Sequence, residues 1–160
     1  MVYPLRGFNH VAVGDSFSSA MTLTETHIVM GAGLFGDFNR LHVDETFAGA
    51  SRHGGRIAHG YLTSSLMAAS YGMVFHGSAI AYLEHACRFL KPVRAGDTLS
   101  TVWTITALEA KPKHDGGIVT MRAVCSNQGG EPVAEATGTM LVRNAQTCKE
   151  ATCSKTSFGA

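Results

Sequence analysis

At 160 residues the chain has the length of one ordinary domain, long enough to bury its own core. Thirteen Lys and Arg against twelve Asp and Glu leave a formal charge of +1, so nothing at the whole-chain level draws it to nucleic acid or another polyanion. Met1 to His10 hold neither the apolar run nor the small-residue cleavage site of a secretion signal, and the expected compartment is the cytoplasm.

Gly7, Gly14 and Asp15 punctuate residues 1–20, which predicts irregular chain with at most one short strand. Thr24 or Thr26 then caps a helix through His27–Leu34, whose apolar face of Ile28, Val29, Leu34 and Phe35 is weakened by two glycines. Gly36-Asp37-Phe38-Asn39 ends it in a segment better suited to a bent loop than to a helix, and a short helical turn is expected around Asp44–Ala48. Residues 49–56 form a small, basic, glycine-rich loop.

From His59 to about Phe75 apolar residues recur at 62, 66, 69 and 73, and the other faces carry Tyr61, Met67, Ala68 and Tyr71, the pattern of a helix enclosed on most sides. Residues 58–83 contain no Asp, Glu, Lys or Arg, yet His59, His76 and several hydroxyls and glycines make them too polar for a membrane span. Everything after Gly77 reads as strand: Ala79–Leu90, Thr98–Leu108, Gly117–Ser126 and Pro132–Val142, in the order of an antiparallel meander. In the second of these, Leu99, Thr101, Trp103, Ile105 and Ala107 mark the face that covers the helix. Residues 144–160 have little to bury and are expected to be a disordered tail, leaving 1–143 as a single domain. Cys87 and Cys125 fall in apolar strands and Cys148 and Cys153 in the tail. Reduced thiols are expected, and no metal site, because Cys148-x4-Cys153 lacks partner ligands.

The chemistry concentrates in 35–48, where a carboxylate, Asp37, and an imidazole, His42, stand five positions apart. Gly60 opens the long helix, where unpaired amides and the positive end of the helix dipole favour a developing negative charge. Taken singly, Asp37 reads as a capping residue, His42 as a hydrogen-bonded structural histidine and Gly60 as a close-packing glycine. Taken together, they have the parts of a site that moves a proton beside an activated carbonyl. Asn39 suits bracing of the loop. His59 suits either packing at the helix start or contact with substrate. Arg40, Arg52 and Arg56 are either scattered surface cations or a rim for phosphates.

Gly36-Asp37-Phe38-Asn39-Arg40-Leu41-His42-Val43-Asp44 with Phe47-Ala48, then Ile57-Ala58-His59-Gly60-Tyr61-Leu62, Phe89-Leu90-Lys91-Pro92-Val93 and Gly96-Asp97, resembles the MaoC-like, (R)-specific enoyl-CoA hydratases over residues 22–143. The resemblance implies an α+β hot-dog fold, a long central helix wrapped by a curved antiparallel sheet. It implies a hydro-lyase that adds water to a trans-2-enoyl thioester of coenzyme A or acyl carrier protein to give the (R)-3-hydroxyacyl thioester, or the reverse. It also implies a homodimer or higher homo-oligomer, no membrane partner and no cofactor beyond the thioester carrier. Asp37 and His42 take the catalytic roles, Gly60 the carbonyl-binding amide, and Asn39, Arg40, His59 and Tyr61 are the substrate-contact candidates. The family usually has proline where this chain has Arg40. A serine that some members carry on the helix falls near Ala68, and that role is not carried over. Met67, Met73 and Tyr71 line either the core or an acyl pocket. The competing functions are thioester hydrolysis, for which residues 60–75 lack the carboxylate, and a non-catalytic acyl-CoA-binding subunit.

Overall fold

The computed structural model describes residues 5–145. A short 3-10 turn at Phe8–His10 precedes strand β1 (Ser16–Thr22), and helix α1 (Glu25–Phe35) follows at once. Its start is set by Thr24, whose N–H donates to His27 Nδ1 at 2.9 Å. Its end is set by Gly36, whose φ of 68° lies in the left-handed region that stops helices. Two short helices come next, α2 (Arg40–Val43) and α3 (Glu45–Gly49), then the long helix α4 (Gly60–Val74). The rest is strand: β2 (Ala79–Phe89), β3 (Thr98–Lys111), β4 (Gly116–Ser126) and β5 (Pro132–Arg143).

The five strands make one antiparallel sheet in the spatial order β1-β3-β4-β5-β2. The expected meander therefore holds only for β3, β4 and β5. Those strands are joined by tight reversals at 112–115 and 127–131, whereas the longer segment 90–97 lets β2 leave its sequence neighbour and pair with β5. β1 closes the other edge against β3, Phe17 opposite Trp103.

The sheet wraps α4, which is the hot-dog arrangement. Leu62, Met67 and Tyr71 of α4, with Phe75 just beyond it, pack on Trp103, Ile105, Val119, Met121, Val133 and Met140. The large polar-tipped residues are satisfied inside: the Tyr71 hydroxyl donates to the Val119 carbonyl at 2.7 Å, and Trp103 Nε1 donates to the Met67 carbonyl and Ser70 Oγ at 3.1 and 3.0 Å. On β3 the expected inward set stops at Ile105. A register shift against β4 between Ile105 and Ala107 turns Ala107 outward and makes Leu108 the next half-buried side chain.

No helix among the described residues is long and apolar enough to cross a membrane. Cys87 is half-buried and Cys125 buried, both as free thiols. Cys148, Cys153 and residues 146–160 of the expected tail lie outside the described residues. Asn144 and Ala145 are held by Asp115 and Asn9.

Candidate active site

The bend that carries the site is written in two short side chains. Asp37 Oδ1 accepts from the Asn39 N–H at 3.1 Å, and Asn39 Oδ1 accepts from the Leu41 N–H at 3.0 Å, so one turn closes 37–39 and the next starts α2. Residues 36–39 are the expected bent loop, and 40–43 form a turn of helix ahead of the one expected around 44–48, with His42 on it. Asp44 then caps α3, accepting from the Phe47 N–H at 2.9 Å. That bond and the neighbouring Arg40 guanidinium hold the Asp44 carboxyl below its ordinary range.

α2 buries none of its own residues, so the orientation of His42 is set from outside the helix. The Leu41 carbonyl accepts from the Ile57 N–H at 3.1 Å, and the Ile57 carbonyl accepts from His42 Nδ1 at 2.8 Å. A carbonyl can only accept, so Nδ1 carries a proton, and in the neutral ring Nε2 presents a lone pair. That lone pair faces Asp37 Oδ2 at 3.8 Å, too far for a direct hydrogen bond. Two acceptors at that separation are matched by one water donating a hydrogen to each, since two contacts of ~2.8 Å meeting at ~85° span it. His42 is nearly buried while the Asp37 carboxylate is half exposed, so the pair lies at the boundary between interior and solvent.

Beside His42 opens a cavity of about 410 Å³ lined by Gly60 and Thr63 of α4, Phe89 at the end of β2, and the 52–53 and 91–93 segments. Gly60 is the first residue of α4, where amides lack an intrahelical acceptor and the helix dipole is positive. It is also close-packed: a Cβ there would lie 2.8 Å from Phe89 Cε2. The close-packing reading is therefore met, and the same residue lines the cavity.

The remaining candidates separate. His59, the residue before α4, is buried. Its Nε2 donates to the Asp37 carbonyl at 2.9 Å, and its ring lies 3.9 Å from that of His42 at 32°. Arg40 turns away to Asp44, at 2.9 and 3.0 Å, and lies over the Phe47 ring. Arg56 is bound to Glu25 and Glu45. Of the three arginines considered for a phosphate rim only Arg52 lines the cavity, joined there by Lys91. Tyr61 is 74% exposed, outside the cavity lining, and its ring stands 6.4 Å from Phe35.

Asp37, His42 and His59 place donor atoms within 4.8 Å of one another, with His59 Nε2 already committed to the Asp37 carbonyl and His42 Nδ1 to the Ile57 carbonyl. Sequence reasoning did not single out the Ile57 carbonyl, a backbone atom without a residue signature, nor Thr63 and Phe89. His85 of β2 shares a 2.8 Å hydrogen bond through Nε2 with Ser64 Oγ, and its Nδ1 lies 3.1 Å from the Tyr82 hydroxyl. Burial lowers the pKa of that imidazole.

Known proteins match this arrangement over most of the chain. Residues 10–126 match the family described as MaoC like domain. An (R)-specific enoyl-CoA hydratase from Rhodospirillum rubrum is 35% identical over 138 residues, covering 86% of this chain and 92% of the relative. An (R)-specific enoyl-CoA hydratase from Aeromonas caviae is 33% identical over 118 residues, 74% of this chain and 85% of the relative. Among solved structures, an unliganded R-hydratase from Pseudomonas aeruginosa superposes with a TM-score of 0.76 at 27% identity, over 87% of this chain and 86% of its own. The chain belongs to the MaoC-like dehydratase family.

Proposed function

We propose that the protein is a hydro-lyase that adds water to a trans-2-enoyl thioester to give the (R)-3-hydroxyacyl thioester, and catalyses the reverse dehydration. The observation that carries this reading is the 3.8 Å gap between Asp37 Oδ2 and the bare Nε2 of His42, beside a cavity that Gly60 lines from a helix start. A water in that gap points both hydrogens at the pair and leaves its oxygen lone pairs free. As the oxygen bonds to C3, the C2–C3 π electrons shift onto the thioester oxygen, where the Gly60 amide donates to the growing charge. One water proton passes to the Asp37–His42 pair. The pair then returns a proton to C2 as the enolate collapses, so one water is added and the pair ends as it began.

Hydrolysis is disfavoured because α4 offers no carboxylate along Gly60–Val74. A binding-only role is disfavoured because both members of the pair are present. Arg52 at the cavity suits the phosphates of a coenzyme A carrier, and Lys91, held by Glu131, joins it where the phosphates compete for that ion pair. A homodimer is supported by β2, an edge strand that exposes Ile80, Tyr82 and Leu83, and by exposed Val29, Met30 and Leu34 of α1. Sedimentation of the purified protein tests it.

The function is tested by following the conjugated enoyl-thioester absorbance of crotonyl-CoA against free thiol. Absorbance loss without thiol supports hydration, and thiol release supports hydrolysis. Binding with neither supports a non-catalytic subunit. Asp37→Asn and His42→Ala are each expected to lower kcat by at least ~10²-fold, the scale of a positioned acid–base group, without loss of fold. Near-normal turnover in either contradicts the assignment.

A further inference from the structure

We propose that His59 is the positioning residue of the site: one buried ring sets the Asp37 carboxylate and the His42 imidazole at their working separation and ties both to the helix start that presents Gly60. The inference rests on the hydratase reading above and adds to it a part that does not itself touch the reacting atoms.

The two catalytic side chains have little of their own to hold them. α2 buries no residue, and the Asp37 carboxylate is half exposed, with the Asn39 N–H at 3.1 Å as its close donor. His59, in contrast, is 1% exposed and directly precedes Gly60. Its Nε2 donates to the Asp37 carbonyl at 2.9 Å, which anchors the loop backbone from which the carboxylate projects. Its face lies 3.9 Å from the His42 ring, which fixes that imidazole out of plane while the Ile57 carbonyl fixes it in plane. Rotation of His42 about its Cβ–Cγ bond must therefore break a hydrogen bond and drive the ring into His59.

The ring of His59 is itself wedged. Phe35 meets it edge-on at 5.7 Å and 72°. Gly31 of α1 leaves the room it occupies, because a Cβ at 31 would come within 3.3 Å of His59 Nδ1. That nitrogen is buried and makes no hydrogen bond. With Nε2 committed to a carbonyl, Nδ1 is a bare lone pair against Gly31, turned from the gap between Asp37 and His42. A buried polar atom left without a partner is a cost that packing alone does not require, since an apolar ring fills the same space without it. The Nε2 donor that comes with it is what an apolar ring lacks, and its acceptor belongs to the catalytic aspartate.

Two substitutions separate the functions of the ring. His59→Phe keeps the face against His42 and removes the donor to Asp37. His59→Gln keeps an N–H donor near Nε2 and removes the face. The test measures kcat and KM for crotonyl-CoA, the thermal midpoint, and the tautomer of His42 by nitrogen-15 NMR of the substrate-free protein. Each variant is expected to lower kcat by ~10–100-fold with KM within ~3-fold, the range a misplaced catalytic group produces. His42 is expected to stay a single Nδ1–H tautomer in wild type and His59→Phe and to average between tautomers in His59→Gln. Unchanged kcat in both folded variants overturns the proposal, and so does a His42 tautomer in His59→Gln identical to wild type. A raised KM at unchanged kcat also overturns it, making His59 a substrate contact. Wild-type protein without hydratase activity sinks the reading of function instead, and the NMR arm still decides the positioning.

Discussion

Gly60→Ala isolates what the first residue of α4 contributes. The backbone there is ordinary helix, so alanine meets no conformational penalty, but its Cβ lies 2.8 and 2.9 Å from Phe89 Cε2 and Cζ. Those contacts fall ~0.7 Å inside the ~3.5 Å at which carbon atoms rest. Phe89 is 51% exposed, so in the free protein its ring swings aside and the thermal midpoint should hold within ~3 °C. Phe89 lines the cavity assigned to the thioester, so bound substrate takes up part of the space open to the displaced ring. Overpacking of this kind costs ~1–3 kcal/mol, which, incurred only when substrate is bound, lowers kcat/KM by ~5–150-fold. The assay is loss of enoyl absorbance over a range of crotonyl-CoA concentrations, run beside calorimetry. Gly60→Ala combined with Phe89→Ala removes the partner in the clash and should recover kcat/KM to within several-fold of Phe89→Ala alone. Wild-type kcat/KM in folded Gly60→Ala refutes the reasoning outright. Failure of the second substitution to rescue refutes the role given to Phe89.

Trp103→Phe deletes the N–H that donates to the Met67 carbonyl and Ser70 Oγ beneath α4; the Met67 carbonyl keeps its bond from Ser70 Oγ, so the loss should cost about 0.5–1.5 kcal/mol in a urea titration. An unchanged midpoint contradicts the reading of α4 as pinned there. Burial pushes the Tyr82 phenol up to about 12 and raises that of Tyr71 as well. The folded protein then keeps protons that the unfolded chain releases above its ordinary tyrosine value of 10, so their contribution is complete below pH 10 and lost as pH climbs toward 12. Urea midpoints should fall across that window and fall less in Tyr82→Phe, and a flat profile counts against the burial. Arg52→Ala with Lys91→Ala should raise KM for a coenzyme A thioester ~10-fold while leaving the pantetheine thioester unaffected, as expected where two phosphate contacts of ~0.7 kcal/mol each are lost. Equal effects on both thioesters contradict a phosphate role.

The fold was legible where periodicity and punctuation are local. The left-handed Gly36, the capped start of α1, the enclosed α4 and four of the five strands all follow from residues within a turn or two of each other. Long-range pairing was not: nothing in 79–90 says that β2 will choose β5 over β3, and nothing near Ile105 announces the register shift that turns Ala107 outward. The site divides in the same way. Asp37 and His42 stand in one short motif and could be named as a pair. The Ile57 carbonyl that fixes the His42 tautomer has no side chain to read, and one of the two partners of His85 lies on another element, 21 residues away at Ser64. Arg40 reads as a free cation in sequence, yet Asp44 one helical turn later claims it, since i,i+4 side chains are neighbours on a helix surface.

The side chains proposed to react thus sit on elements that bury no residue of their own and take their geometry from groups packed beneath them. Loop 36–39 and α2 contribute nothing to the core, which leaves the Asp37 carboxylate half exposed beside a His42 ring that its neighbours cover. Their separation is referred to the His59 ring and the Ile57 carbonyl, which the packing of α1 and α4 holds in place. A substitution on the loop should therefore change the chemistry with little effect on stability. One beneath it, at Gly31 or Phe35, should move rate before it moves the melting transition, because a shift of a few tenths of an ångström in the His59 ring alters the gap between Asp37 and His42 while the core around Tyr71 and Trp103 stays intact.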